Sequence, residues 1–207
     1  MAPAGRTRSS RSLTVDTSRG PAEVDLAVPR TSRALLVLGH GAGGGIDSVD
    51  LLAVRDAALA ERIAVGRVLQ PYRVAGRRAP APAAHLDAAF TEVVTVLEGI
   101  LPGLSLVVGG RSSGARVACR TARALGAAGV LALAFPLHPP GKPEKSRATE
   151  LDTGLPTLVV NGDRDPFGVP PAGGPVTVRV VPGATHDLRR DPDLVGRLAV
   201  DWLAGIV

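Results

Sequence analysis

The chain has 207 residues, 45% hydrophobic and 21% charged, a composition that suits a globular protein with one sizeable core and excludes whole-chain disorder. Its net charge is +5, but Arg6, Arg8 and Arg11 supply three of that. With +2 on the rest and only 2% aromatic residues, the electrostatic and stacking surface of a nucleic-acid groove is missing.

The first eleven residues read as a disordered basic tail, although an Arg/Ser-rich, acid-free start is also the composition of a transit peptide. Residues 12–207 then read as a single domain. Leu13–Ser18 and Ala22–Val28 alternate like the strands of a hairpin around Arg19-Gly20-Pro21. Ala34–Leu38 is a continuous apolar run, as expected of a strand buried on both faces of a parallel sheet. It ends in the glycine-rich loop Gly39–Gly45. Helical spacing over Asp50–Ala64 and a strand at Val65–Leu69 complete a βαβ unit. The alternation continues with a helix at Ala83–Leu101, a strand at Leu104–Val108 and a helix at Ser112–Leu125. Strands follow at Gly129–Phe135, Pro156–Val160 and Val176–Val181, then a final helix at Asp191–Leu203. This order predicts an α/β fold, a mostly parallel sheet with helices on both faces and an antiparallel hairpin at its start. Ligands of such sheets bind outside the carboxyl ends of the strands, so the loops there are where chemistry is expected.

One of those loops contains Gly110-Arg111-Ser112-Ser113-Gly114, a G-x-S-x-G pattern between a predicted strand and a predicted helix. Alone the pattern is weak, and a serine there could be an ordinary helix N-cap. In this setting it reads as a nucleophile turn, where small neighbours let a sharp bend lift the Ser112 oxygen above the sheet. A serine nucleophile needs a base, and the base needs a carboxylate to orient it. Strand Pro156–Val160 is followed by Asp163 and Asp165, and strand Val176–Val181 by His186, so both partners fall on the rim that holds Ser112. Asp165 is preferred to Asp163 because it lies farther past its strand and can reach over the sheet. The backbone N–H groups of Ala42, or alternatively Gly43, and of Ser113 are the expected donors to a developing oxyanion. His40 reads first as a loop-ordering residue, and with Arg111 and His138 it completes the candidate substrate contacts.

Two other readings compete. Gly39-x-Gly41-x-x-Gly44 also satisfies a dinucleotide fingerprint, but the next strand ends at Leu69-Gln70-Pro71 with no acid to hold a ribose. No nucleotide cofactor is therefore expected. One cysteine, Cys119, allows no internal disulfide and leaves a zinc site without ligands, so no metal is expected and a reducing compartment fits. No eighteen-residue apolar run and no apolar leader occur, which makes the cytoplasm the expected setting and a membrane partner unexpected.

These motifs resemble the α/β-hydrolase superfamily. Within it they are similar to the small, dienelactone-hydrolase-related group that includes the hydrolase-like domains of KANSL-type chromatin-complex subunits and Tex30-like proteins. Leu38–Gly43, Gly109–Ala118, Phe135–Lys145 and Gly162–Gly168 carry the likeness, and the Pro136–Lys145 segment is its most specific part. The resemblance implies the hydrolase fold and a Ser112, Asp165 and His186 triad. About twenty residues separate Phe135 from Pro156, too few for the helical cap that many of these enzymes insert there. The expected activity is hydrolysis of a small ester or thioester through an acyl-enzyme. The alternative is a non-catalytic protein of the same fold that binds or scaffolds a protein partner.

Overall fold

The computed structural model describes residues 10–207, so most of the expected basic tail lies outside the described residues. Eight strands form one sheet: β1 (Arg11–Thr17), β2 (Gly20–Ala27), β3 (Ala34–Gly39), β4 (Ile63–Leu69), β5 (Ser105–Arg111), β6 (Gly129–Leu133), β7 (Thr157–Gly162) and β8 (Val176–Val181). Their spatial order is β1-β2-β4-β3-β5-β6-β7-β8. The β1/β2 and β2/β4 pairings are antiparallel and the other five are parallel. The helices are α1 (Val49–Ala60), the single turn α2 (Pro71–Val74), α3 (Ala83–Ile100), α4 (Ser113–Thr121) and α5 (Pro192–Leu203).

All six residues of β3 are buried, because strand neighbours flank it and helices cover both its faces. Successive side chains of a strand point to opposite faces, and the core divides accordingly. Leu35 and Val37 join Val108, Val130 and Val159 under Phe90, Val93 and Leu97 of α3 and Ala118 of α4. Leu36 and Leu38 join Val107, Leu131 and Leu158 under Leu51 and Val54 of α1 and Val195 and Ala199 of α5. Fully burying each large apolar side chain stabilises the fold by about 1.5–3 kcal/mol.

Several boundaries differ from those expected from the sequence. The α1 helix stops at Ala60 rather than Ala64, since Arg62 takes a φ of 60° and the buried Ile63 and Ala64 extend β4. The β5 strand continues past Val108 to Arg111 because its ladder persists through glycines that an apolar run cannot mark, with Gly110 opposite Gly39 and Arg111 opposite Leu133. At the other end of α4, helical structure ends at Thr121, short of Leu125. Arg11 already pairs with Leu26, so the first strand begins before Leu13.

Three features bear on the site. The chain leaves β3 for β4 on one side and later returns to β5 on the other, so the carboxyl ends of β3 and β5 form the topological switch point of the sheet. Between β6 and β7 the regular structure is one 3₁₀ turn, Ala148–Leu151, with no helical cap among the described residues. No described helix is long and apolar enough to cross a membrane.

Candidate active site

Ser112 stands alone between the last residue of β5 and the first of α4, at φ 53° and ψ −109°. A positive φ outside glycine carries a cost of about 1–3 kcal/mol, tolerated where surrounding structure enforces it. Here the Ser112 N–H donates to Leu133 O at 2.9 Å, while its carbonyl accepts from Arg116 N at 3.2 Å. The flanking glycines follow from crowding. A Cβ on Gly110 would lie 2.5 Å from Gly39 O, and one on Gly114 only 2.3 Å from that same atom. The G-x-S-x-G spacing is thus the footprint of α4 crossing tightly over the end of β3.

His186 reaches this serine from the loop after β8. Its Nε2 lies 2.9 Å from Ser112 Oγ, and its Nδ1 lies 2.8 Å from Asp165 Oδ2. With a neutral ring, Nδ1–H donates to the carboxylate and Nε2 is left to accept from the serine hydroxyl. The Asp165 side chain is wholly buried, and its second oxygen accepts from the Phe167 N–H at 2.8 Å. The ring of Phe167 lies against that of His186, with centroids 4.2 Å apart. Asp163 goes elsewhere, accepting from the Gly183 N–H at 2.7 Å.

The loops carrying Asp165 and His186 are joined directly. Gly162 has no room for a Cβ, which would meet Ala184 O at 2.2 Å, and the Arg164 N–H donates to that same carbonyl at 3.0 Å. Asn161, buried at the end of β7, accepts from the Phe135 N–H at 2.8 Å. Its amide donates to Phe135 O and Gly168 O, both at 3.1 Å, and lies 3.4 Å from Asp165 Oδ2. The sequence reading passed over Asn161. Its signal was a carboxamide closing the otherwise apolar run Leu158-Val159-Val160.

Ser113 opens α4, so its N–H has no intrahelical acceptor and lies at the positive end of the helix. Ala42 is exposed, and its N–H makes no hydrogen bond among the described residues. Gly43 follows at φ 68°. His40 is buried with both nitrogens engaged: Nδ1–H donates to Gly41 O at 2.8 Å and Nε2 accepts from the Gln70 N–H at 3.1 Å. Burial lowers its pKa, the Gly41 hydrogen bond opposes that shift, and the nearby Arg73 charge adds to it. His40 therefore orders the loop and offers no ring nitrogen to a ligand.

Arg111 turns to Asp50, with Nε 2.9 Å from Oδ2, and donates through Nη2 to His186 O at 2.9 Å. His138 packs over Gly168, in the loop beyond Asp165, with Nδ1 3.0 Å from Pro139 O. Lys142 and Lys145 are exposed. Cys119 is remote from this chemistry, buried in α4 with its thiol pushed up to about 12 chiefly by burial.

Residues 32–193 match the family described as an alpha/beta hydrolase domain, which is most of the chain. The chain belongs to the alpha/beta hydrolase family. Solved structures agree on the fold. An alpha-beta serine hydrolase homologue from Coxiella burnetii superposes with a TM-score of 0.77 at 17% identity, covering 97% of this chain and 99% of that one. A lid-less α/β serine hydrolase from Xanthomonas campestris gives 0.74 at 21% identity, covering 95% and 94%. Dienelactone hydrolase from Anabaena variabilis gives 0.77 at 15% identity, covering 97% and 99%. No curated protein matches the sequence.

Proposed function

We propose that this alpha/beta hydrolase is a serine hydrolase acting on a small ester or thioester carbonyl through Ser112, His186 and Asp165. The observation that carries the reading is the unbroken line of hydrogen bonds from Ser112 Oγ through both nitrogens of His186 to Asp165. His186 Nε2 takes the hydroxyl proton as Ser112 Oγ attacks the carbonyl, and Asp165 stabilises the imidazolium and keeps its orientation. The N–H groups of Ala42 and Ser113 receive the oxyanion. His186 then gives its proton to the departing alcohol or thiol, leaving an acyl-Ser112 ester that water cleaves by the same steps.

A carboxylesterase- or thioesterase-like activity suits this site, since no helical cap encloses it among the described residues and aromatic side chains are few. Within the family we place the chain beside the KANSL-type and Tex30-like hydrolases, on the strength of Pro136–Lys145, and we take 12–207 as one cytoplasmic domain. The test is intact mass after exposure to a fluorophosphonate. One adduct on wild type, mapped to Ser112 and lost or strongly slowed in Ser112→Ala and His186→Ala, is the expected result. A folded wild-type protein that takes up no probe would overturn the reading and favour a non-catalytic binding protein.

A further inference from the structure

We infer that Arg111 is a positioning residue, anchored on the buried Asp50, that holds the His186 loop and the oxyanion loop in register with the nucleophile turn. This rests on the serine-hydrolase reading above. Asp50 lies in the first turn of α1 with its side chain fully buried, where an unpaired carboxylate is strongly disfavoured. Burial pushes the Asp50 carboxyl up, and the Arg111 charge is the leading opposing influence. One oxygen accepts from the Leu51 N–H at 2.9 Å. The other faces Arg111 Nε at 2.9 Å, an electrostatic contact off the angle of a hydrogen bond.

The same guanidinium meets both loops that flank Ser112. Nη2 donates to the backbone carbonyl of His186. Nη1 lies under the oxyanion loop so closely that a Cβ on Gly41 would be 2.9 Å away. Arg111 also precedes Ser112 in the chain, so one rigid plane relates the nucleophile, the base loop and the oxyanion loop. A planar fork can meet three directions at once, whereas an ammonium is a single point charge. With Nε and Nη2 engaged and its side chain only 17% exposed, Arg111 is built into the framework of the site rather than presented to substrate. Displacement of reacting groups by about 1 Å can cost about 10²-fold in rate.

Arg111→Lys keeps a cation beside Asp50 and removes the fork, so its fold is protected. The Asp50→Asn/Arg111→Met double variant removes both charges together. For each, the fluorophosphonate labelling rate, kcat and KM for p-nitrophenyl acetate, and Tm are measured. Both variants are expected to label and turn over about 10²-fold more slowly, with KM within about twofold because ground-state binding is untouched. Arg111→Lys should melt close to wild type. Adding guanidinium at millimolar concentration to Arg111→Ala should restore part of the labelling rate, and methylammonium should not.

Labelling of Arg111→Lys at the wild-type rate would overturn the inference and leave the serine-hydrolase reading intact. Raised KM with unchanged kcat would overturn it in favour of direct substrate contact. A folded wild type inert to the probe would remove that reading and this inference with it.

Discussion

The two sides of the site are built on opposite plans. The loops that carry Asp165 and His186 are cross-braced: Asn161 bonds to Phe135 and Gly168, Arg164 and Gly162 close on Ala184, and Asp163 holds Gly183. The Gly39–Gly45 loop, proposed above to receive the oxyanion, has far fewer ties. Gly41 O accepts from both His40 and Gly44, whereas Ala42 and Gly43 stand exposed. On the serine-hydrolase reading proposed above, the difference follows from what each side supplies. A proton relay needs side-chain atoms fixed within hydrogen-bond distance, so its backbone can be spent on bracing. An oxyanion site needs backbone N–H groups kept free, and an N–H reserved for a ligand cannot also brace its loop. The loop is therefore anchored through a carbonyl, which it can spare.

The largest expected effect tests the braced side directly. Asp165→Asn retains shape but can hold His186 in the wrong tautomer, a change worth about 10⁴-fold in rate for such a relay. The fluorophosphonate labelling rate should fall on that scale, with the protein still folded by circular dichroism. A drop of tenfold or less would mean that Asp165 does not set the His186 tautomer.

Stability should divide the two sides next. Asn161→Ala leaves the buried Phe135 N–H and two carbonyls without their partner, a loss of about 2–4 kcal/mol. Gly43→Ala only places a side chain at φ 68°, in open surroundings apart from Arg78 O at 3.8 Å, and should cost about 1–2 kcal/mol. Urea unfolding of both variants measures the contrast. Equal losses would show that the oxyanion loop is as firmly built as the acid loop.

What the sequence made legible follows the same division. Apolar patterning located every strand of the sheet: the doubly covered central strands demand near-continuous apolar runs such as Leu35–Leu38, and the half-exposed β1 and β2 show as alternation. Ser112, Asp165 and His186, whose side chains meet in the fold, could be singled out since each follows a strand on one rim. The short α2 turn and the 3₁₀ turn at Ala148–Leu151 carry too few residues for a period to show. The partners of Arg111 were hidden for a different reason: Asp50 lies 61 positions away and His186 75 away, and only the fold brings them together. Asn161 left only the mark of one carboxamide ending an apolar run, because its shorter bonds run to main-chain atoms, which have no residue-type signature.

The smallest expected effect probes the His40 tie of the Gly39–Gly45 loop through pH. His40 is buried beside Tyr72 and near Arg73, and burial lowers its folded pKa below the ordinary 6.5. The unfolded chain therefore binds a proton at this ring before the folded protein does. Its contribution is fully present above pH 6.5 and is lost as pH falls toward the lowered folded value. The loss is at most about 1.4 kcal/mol per pH unit across that window. His40→Gln has no such proton to gain, so although less stable at neutral pH it should lose less Tm than wild type between about pH 7.5 and 5.5. Parallel Tm profiles would mean that His40 titrates as freely in the folded protein as in the unfolded chain. The loop would then rest on its backbone turn and its contact with Arg111, and the contrast with the Asp165 and His186 side would be greater than its hydrogen bonds indicate.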